Sequence, residues 1–197
     1  MASTASPYGL RAVNELGGLP YAGSTRTFLI NPAGYAANIF NGSIVRVATT
    51  GYLELVTTNG DDSTPFPAGT IGVFVGCSYV NAQGQQIWSQ YYPSGTTGVV
   101  TAQVIDDDRT VFQVQADDSV AQAGLGANVY LANVQSTSTG STQTGNSNVA
   151  VDASTIATTS GFAFRIVGFA SGPGDAYTDL LVKFNPGSHS YSNATGI

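Results

Sequence analysis

Alternation of apolar and polar residues at every second position is the main pattern in this chain. In FQVQA (112–116), Phe112, Val114 and Ala116 fall on one face and Gln113 and Gln115 on the other, the period of a half-buried β-strand. In DLLVKF (179–184), Leu180, Val182 and Phe184 point inward while Asp179 and Lys183 face out. Runs rich in Val, Ile, Thr and aromatic residues predict further strands at TFLI (27–30), IVRVAT (44–49), YLELVT (52–57), TIGVFVGCSYV (70–80), IWSQYY (87–92), VVTAQVI (99–105), NVYLANV (128–134) and FRIVGFA (164–170). No stretch carries a helical stripe longer than two turns. Gly, Pro, Asn and Asp break the runs, with 24 glycines in 197 residues. That punctuation predicts an all-β fold, a β-barrel or β-sandwich body.

A weak internal echo runs through the pattern. NGSIVRV (41–47) is followed by TIGVFVG (70–76), and LGANVYL (125–131) by RIVGFA (165–170). Each pair sets a glycine-opened strand ahead of one with glycine beside Ile, Val and Phe. Two related β-units of about 80 residues, or chance likeness in a Gly/Val-rich chain, both account for it.

Two segments fall outside the alternation. SPYGLRAVNELGGLPYAGSTR (6–26) has no apolar period yet keeps Pro7, Tyr8, Leu10, Arg11, Tyr21 and Arg26. An extended N-terminal arm over residues 1–26 is expected, ahead of a body at 27–197. Fully extended, 6–26 reaches about 70 Å, enough to lie across a neighbouring molecule with Tyr8, Leu10 and Tyr21 as apolar anchors and Arg11 and Arg26 as carboxylate partners. The other reading is that the arm wraps its own barrel and covers an edge strand. Residues 135–160, dominated by Ser, Thr and Gly, are expected to form an exposed, mobile loop, with Val149, Val151 and Ile156 tacking its second half down.

Charge narrows the choice of partners. Only 9% of residues are charged, against roughly 25% in ordinary soluble domains, so the polar surface is uncharged and suited to assembly. A net charge of -6 with only six basic residues argues against nucleic acid as a partner, because neutralising phosphates takes clustered Lys and Arg. The start, MASTASPYG, shows neither a basic n-region nor an apolar run, and no later run is long enough for a spanning helix. Synthesis in a bacterial cytoplasm and no membrane partner are expected. The single cysteine, Cys77, excludes an internal disulfide and reads as a small hydrophobe.

Candidate chemistry is sparse. The single histidine, His189, reads as a surface-loop residue, and a Ser-His-Asp site would need distant partners. Asp61-Asp62, Asp106-Asp107-Asp108 and Asp117-Asp118 lack the staggered spacing of a calcium loop, and Asp106 to Asp108, between two strands, read as a tight turn. No metal, cofactor or catalytic residue is expected. Asn41 and Asn193 sit in glycosylation triplets, whose premise fails without an export signal, and Asn41-Gly42 reads as a turn entering the next strand. The richest cluster is aromatic: Tyr79, Trp88, Tyr91 and Tyr92. It suits core packing, sugar stacking or a protein interface.

Several phrases together resemble a known family. SPYGLRAVN, PYAGSTR, NIFNGSIVRV, GVFVGCSY, SQYYPSGT, DDDRTVFQVQAD and DAYTDLLVKFN resemble the head decoration, or cement, proteins of tailed bacteriophages, notably those of aquatic hosts. The resemblance implies a structural virion protein on the outer surface of the capsid, bound to the major capsid protein and stabilising the expanded shell. It implies a homo-oligomer, a trimer or else a dimer, and no enzymatic activity. The expected contact residues are Pro7, Tyr8, Leu10, Arg11, Tyr21, Arg26, Trp88, Tyr91 and Tyr92. The competing expectation is a glycan-binding adhesin or tail-fibre module acting through Trp88, Tyr91 and Tyr92; a hydrolase built on His189 is a third.

Overall fold

Alternating faces need partners, and the chain supplies them by pairing nearly every predicted strand with a neighbour. The computed structural model describes residues 4–197; these are all β, with 37% strand and no helix of seven residues or more. The strands are β1 (Arg11–Glu15), β2 (Arg26–Ile30), β3 (Ile39–Phe40), β4 (Ile44–Val47), β5 (Leu53–Leu55), β6 (Thr70–Val80) and β7 (Gln86–Ser89). There follow β8 (Tyr91–Tyr92), β9 (Val100–Ile105), β10 (Thr110–Gln115), β11 (Asn128–Val129), β12 (Phe164–Phe169) and β13 (Asp179–Phe184).

The first half of the chain builds a barrel. The sheet order β4-β5-β2-β9-β6-β7 is closed by an added β4–β6 pairing, so five strands form the barrel and β7 extends from it. All these pairs are antiparallel except β2 with β5. The eleven-residue β6 makes closure possible. Its first half pairs with β4 and its second half with β7, and a bulge between Phe74 and Gly76 re-aims the strand between the two jobs. Inside lie Ile30, Val45, Leu53, Leu55, Phe74, Val100, Ala102 and Val104, with Cys77 and Tyr92 in the same core.

The second half, with β1 added from the start of the chain, forms a five-stranded sheet, β1-β10-β13-β12-β11. Phe112, Val114, Leu180, Val182, Phe184, Phe164 and Ile166 are all buried on its inner face. They pack on Ile44, Val73 and Ile105, three residues in mutual register across the outer wall of the barrel. Phe184 touches the rings of Phe66, Phe112 and Phe164 at centroid distances of 4.9 to 6.3 Å, aromatic geometry that adds to simple area burial. The core of this half is therefore a sandwich with one barrel wall as its second layer.

The echoed phrases turn out to be pairing partners. β4 pairs with β6, and β11 with β12, and both later strands carry a bulge ending at a glycine, Gly76 and Gly168.

Three expectations need correction. Residues 4–26 do not project: Ser6 N–H donates to Gln115 Oε1 (2.8 Å), Leu10 is buried, and β1 pairs with β10 as an edge strand of the body. The alternation that would have shown β1 is masked by its bulge between Ala12 and Asn14; residues 1–3 of the expected arm lie outside the described residues. Residues 135–160 are not an exposed loop, since Gln135, Ser147, Val149, Ala150 and Val151 are buried, bridging Asn41 to Asn146 and Val151 to both Ala116 and Leu131. Val149 and Val151 do anchor this half. His189 is 1% exposed rather than on the surface, because residues 185–192 fold back over the barrel end and seat its ring against Phe184.

Candidate interaction surfaces

The expected contact residues do not form one surface. Tyr8 is half-buried and its hydroxyl donates to Asp179 Oδ1 (2.9 Å). Burial, and then the Asp179 carboxylate, hold its phenol well above the ordinary value. Arg11 is exposed and stacks over the Tyr8 ring at 4.5 Å, while Pro7 beside it is half-buried. Tyr21 closes a local turn by donating to the Ser24 carbonyl oxygen (2.6 Å). This part of the segment is fastened to its own body, through Tyr8 to β13 and through Leu10 N–H to the Gly42 carbonyl oxygen.

Arg26 pairs with Asp106 and lies over the rings of Phe28 and Tyr191. The Tyr191 hydroxyl donates to the same carboxylate (2.8 Å), so the C-terminal turn is latched to the barrel rim. Next to this latch, His189 Nε2–H donates to the Ile71 carbonyl oxygen (2.9 Å) and Nδ1 accepts from Tyr191 N–H (3.3 Å). Both ring nitrogens are thus used structurally. Cys77 is buried with its thiol pushed up to about 12 by desolvation, which removes the thiolate needed for nucleophilic work.

The aromatic cluster divides by depth. Tyr92 is buried and its hydroxyl donates to the Thr96 carbonyl oxygen (2.9 Å). Tyr91 stacks on Phe40 at 5.6 Å. Only Trp88 is left in solvent, 73% exposed.

Two surfaces carry unpartnered apolar side chains. The first is a corner of the five-stranded sheet. After β1 the chain turns through Gly17 and Gly18, both at positive φ, a conformation that costs glycine little. Glu15 N–H donates to the Leu19 carbonyl (2.8 Å) and Leu16 N–H to the Arg109 carbonyl (2.9 Å), which fix the turn. Three of the eleven exposed large hydrophobics among the described residues, Val13, Leu16 and Leu19, fall within these seven positions. The turn borders a cleft shared with Val167 and Leu181, both half-buried. The sequence held the signal, two leucines flanking Gly-Gly, but the alternation test passes over a turn.

The second surface is the solvent-facing part of the barrel wall. Trp88, Ser78, Thr101 and Leu29 are opposite one another across β7, β6, β9 and β2, which places them on one face. Val80 and Val99 are exposed beside them. Among the described residues no group of three or more His, Cys, Asp or Glu side chains is placed to hold a metal ion, and no helix is long and apolar enough to cross a membrane. No family model, no curated protein and no solved structure matches the chain.

Proposed function

We propose that this chain is a structural virion protein, a decoration protein that binds the major capsid protein on the outer surface of a tailed-phage head and stabilises the expanded shell. The sequence resemblance supports this reading, and the observation that carries it is the leucine turn at the corner of the sheet. A clamp works by differential affinity for one state of its partner, which needs apolar contact area held on a rigid frame. The Val13–Leu16–Leu19 corner provides that area, and Glu15 and Arg109 at its rim provide register. The sparsely charged, net acidic composition also limits adhesion to packaged DNA. The protein acts as a homo-oligomer at a local symmetry axis, a trimer in preference to a dimer.

The test uses shells lacking the protein. Replacing Leu16 and Leu19 together by Ser removes about 2–3 kcal/mol of apolar burial at an interface, so binding to expanded shells should weaken about 50-fold with an unchanged circular dichroism spectrum. Undiminished binding by the double variant, or undecorated shells that withstand heat and low salt as well as decorated ones, would overturn the reading.

A further inference from the structure

The Trp88 face has a feature that shell binding at the leucine corner does not use. Beside the exposed indole lies a cleft of about 390 Å³ lined by Thr25, Gly76, Ser89, Gln90 and Gln103. That volume is in the range of small-molecule sites. Gly76, at the β6 bulge, has no side chain to fill the floor, and a Cβ there would press to 3.0 Å from the Ser89 carbonyl oxygen.

The lining chemistry narrows the ligand. None of the residues around the cleft is Asp, Glu, Lys, Arg or His, so a charged ligand would lose hydration without gaining a counter-charge. A purely apolar ligand would strand the amides, which costs more than a missing contact. Thr25 Oγ1 donates to Gln103 Oε1 (3.4 Å), which orients the Gln103 amide and leaves its nitrogen free to donate. The Gln90 amide makes no hydrogen bond among the described residues and has both donor and acceptor to offer. A flat exposed ring beside two such amides matches a molecule with an apolar C–H face and a rim of hydroxyls.

We infer that this cleft binds a neutral saccharide, one ring stacking its C–H face on Trp88 while its hydroxyls exchange hydrogen bonds with Gln90 and Gln103. The inference is independent of shell binding, since the leucine corner and this cleft share no residue.

Trp88 is the chain's single tryptophan, so its emission reports on this site alone. The full chain is titrated with maltotriose, cellotriose, chitotriose and N-acetyllactosamine, each to about 10 mM, a concentration that saturates the millimolar sites expected for one stacked ring. At least one should give a saturable emission shift. Gln90→Ala and Gln103→Ala keep the reporter and should each weaken that response about tenfold, the loss of one to two hydrogen bonds. Sialylated N-acetyllactosamine should bind no tighter than its neutral parent. The inference is overturned if no sugar shifts the emission, if the shift survives unchanged in the Gln90→Ala/Gln103→Ala double variant, or if the sialylated sugar binds tightest. It is also overturned if only added shells move the emission, which reassigns the face to a protein partner. Shell binding that persists in the glutamine variants but fails in the leucine variant keeps the two readings apart.

Discussion

Gln135 offers the sharpest test of how this fold is held. Its side chain is 1% exposed and reaches across 91 residues of sequence to the barrel. Oε1 accepts from Ile44 N–H (2.8 Å), and Nε2 donates to the carbonyl oxygens of Ile44 (3.1 Å) and Val56 (2.9 Å). The Ile44 carbonyl keeps a second partner in Val56 N–H (3.0 Å), so truncation chiefly strands the Ile44 donor and the Val56 acceptor. Each buried orphan costs about 1–3 kcal/mol, so with two of them Gln135→Ala should destabilise by about 2–6 kcal/mol. For a chain of this size that lowers the thermal midpoint by roughly 10 °C. Gln135→Glu should cost at least as much, because a carboxylate accepts from Ile44 N–H yet faces two carbonyl oxygens without a proton to donate. Urea titrations followed by far-UV circular dichroism measure both. A cost below about 1 kcal/mol for the alanine variant would mean that 135–160 rests on the body without stabilising it.

Three further outcomes follow from single residues. Cys77, buried with its thiol pushed up to about 12, should not react with a thiol reagent at pH 8 until the protein is unfolded; rapid labelling of the native chain would contradict its burial. Burial holds the His189 imidazole below its ordinary 6.5 against the opposing pull of the Ile71 carbonyl and the Asp108, Asp106 and Asp107 carboxylates. The unfolded chain therefore takes up the proton first, stability falls as pH drops below about 6.5, and His189→Gln should flatten the urea midpoint between pH 7.5 and 5.5; an unaltered slope would assign the loss to other groups. Gly72 has φ +141 and a Cβ there would run into the Ile105 carbonyl oxygen, so Gly72→Ala should cost at least about 3 kcal/mol by strain at a packed strand pair, and a midpoint within about 2 °C of the parent's, the shift expected for about 1 kcal/mol or less, would refute the close approach.

What the chain's pattern shows and what it hides divide along one physical line. Period-two alternation, helped by runs of β-branched and aromatic residues, puts β6, β9, β10, β12 and β13 where they stand, although β6 and β10 are buried on both faces over most of their length and Gln115, expected to face out, is buried. It even separates Leu180, Val182 and Phe184 from Asp179 and Lys183 by depth. The pattern is blind where burial comes from neighbours remote in sequence. A Ser/Thr tract looks like a solvated loop because few of its residues are apolar enough to drive burial. Yet Gln135 is buried where Ile44 and Val56 leave backbone groups that its side-chain amide satisfies, and buried Ser147 meets the Asn41 carbonyl through its backbone N–H. His189 is the same case: an isolated imidazole in a glycine-proline loop has no local reason to be inside, and goes in because the Ile71 carbonyl at the barrel end needs a donor. The N-terminal stretch combines both effects, with Leu10 inserted as apolar filler and Tyr8 bound to a carboxylate 171 residues away. The residues spent on closing the body are therefore unavailable for contact with a partner, and that sorts the candidates without any appeal to resemblance. Tyr8, Leu10 and Tyr92 stabilise this chain, whereas Leu16, Leu19 and Trp88 remain in water with no internal role, and a side chain kept there on a rigid β frame is where an external ligand has free energy to gain.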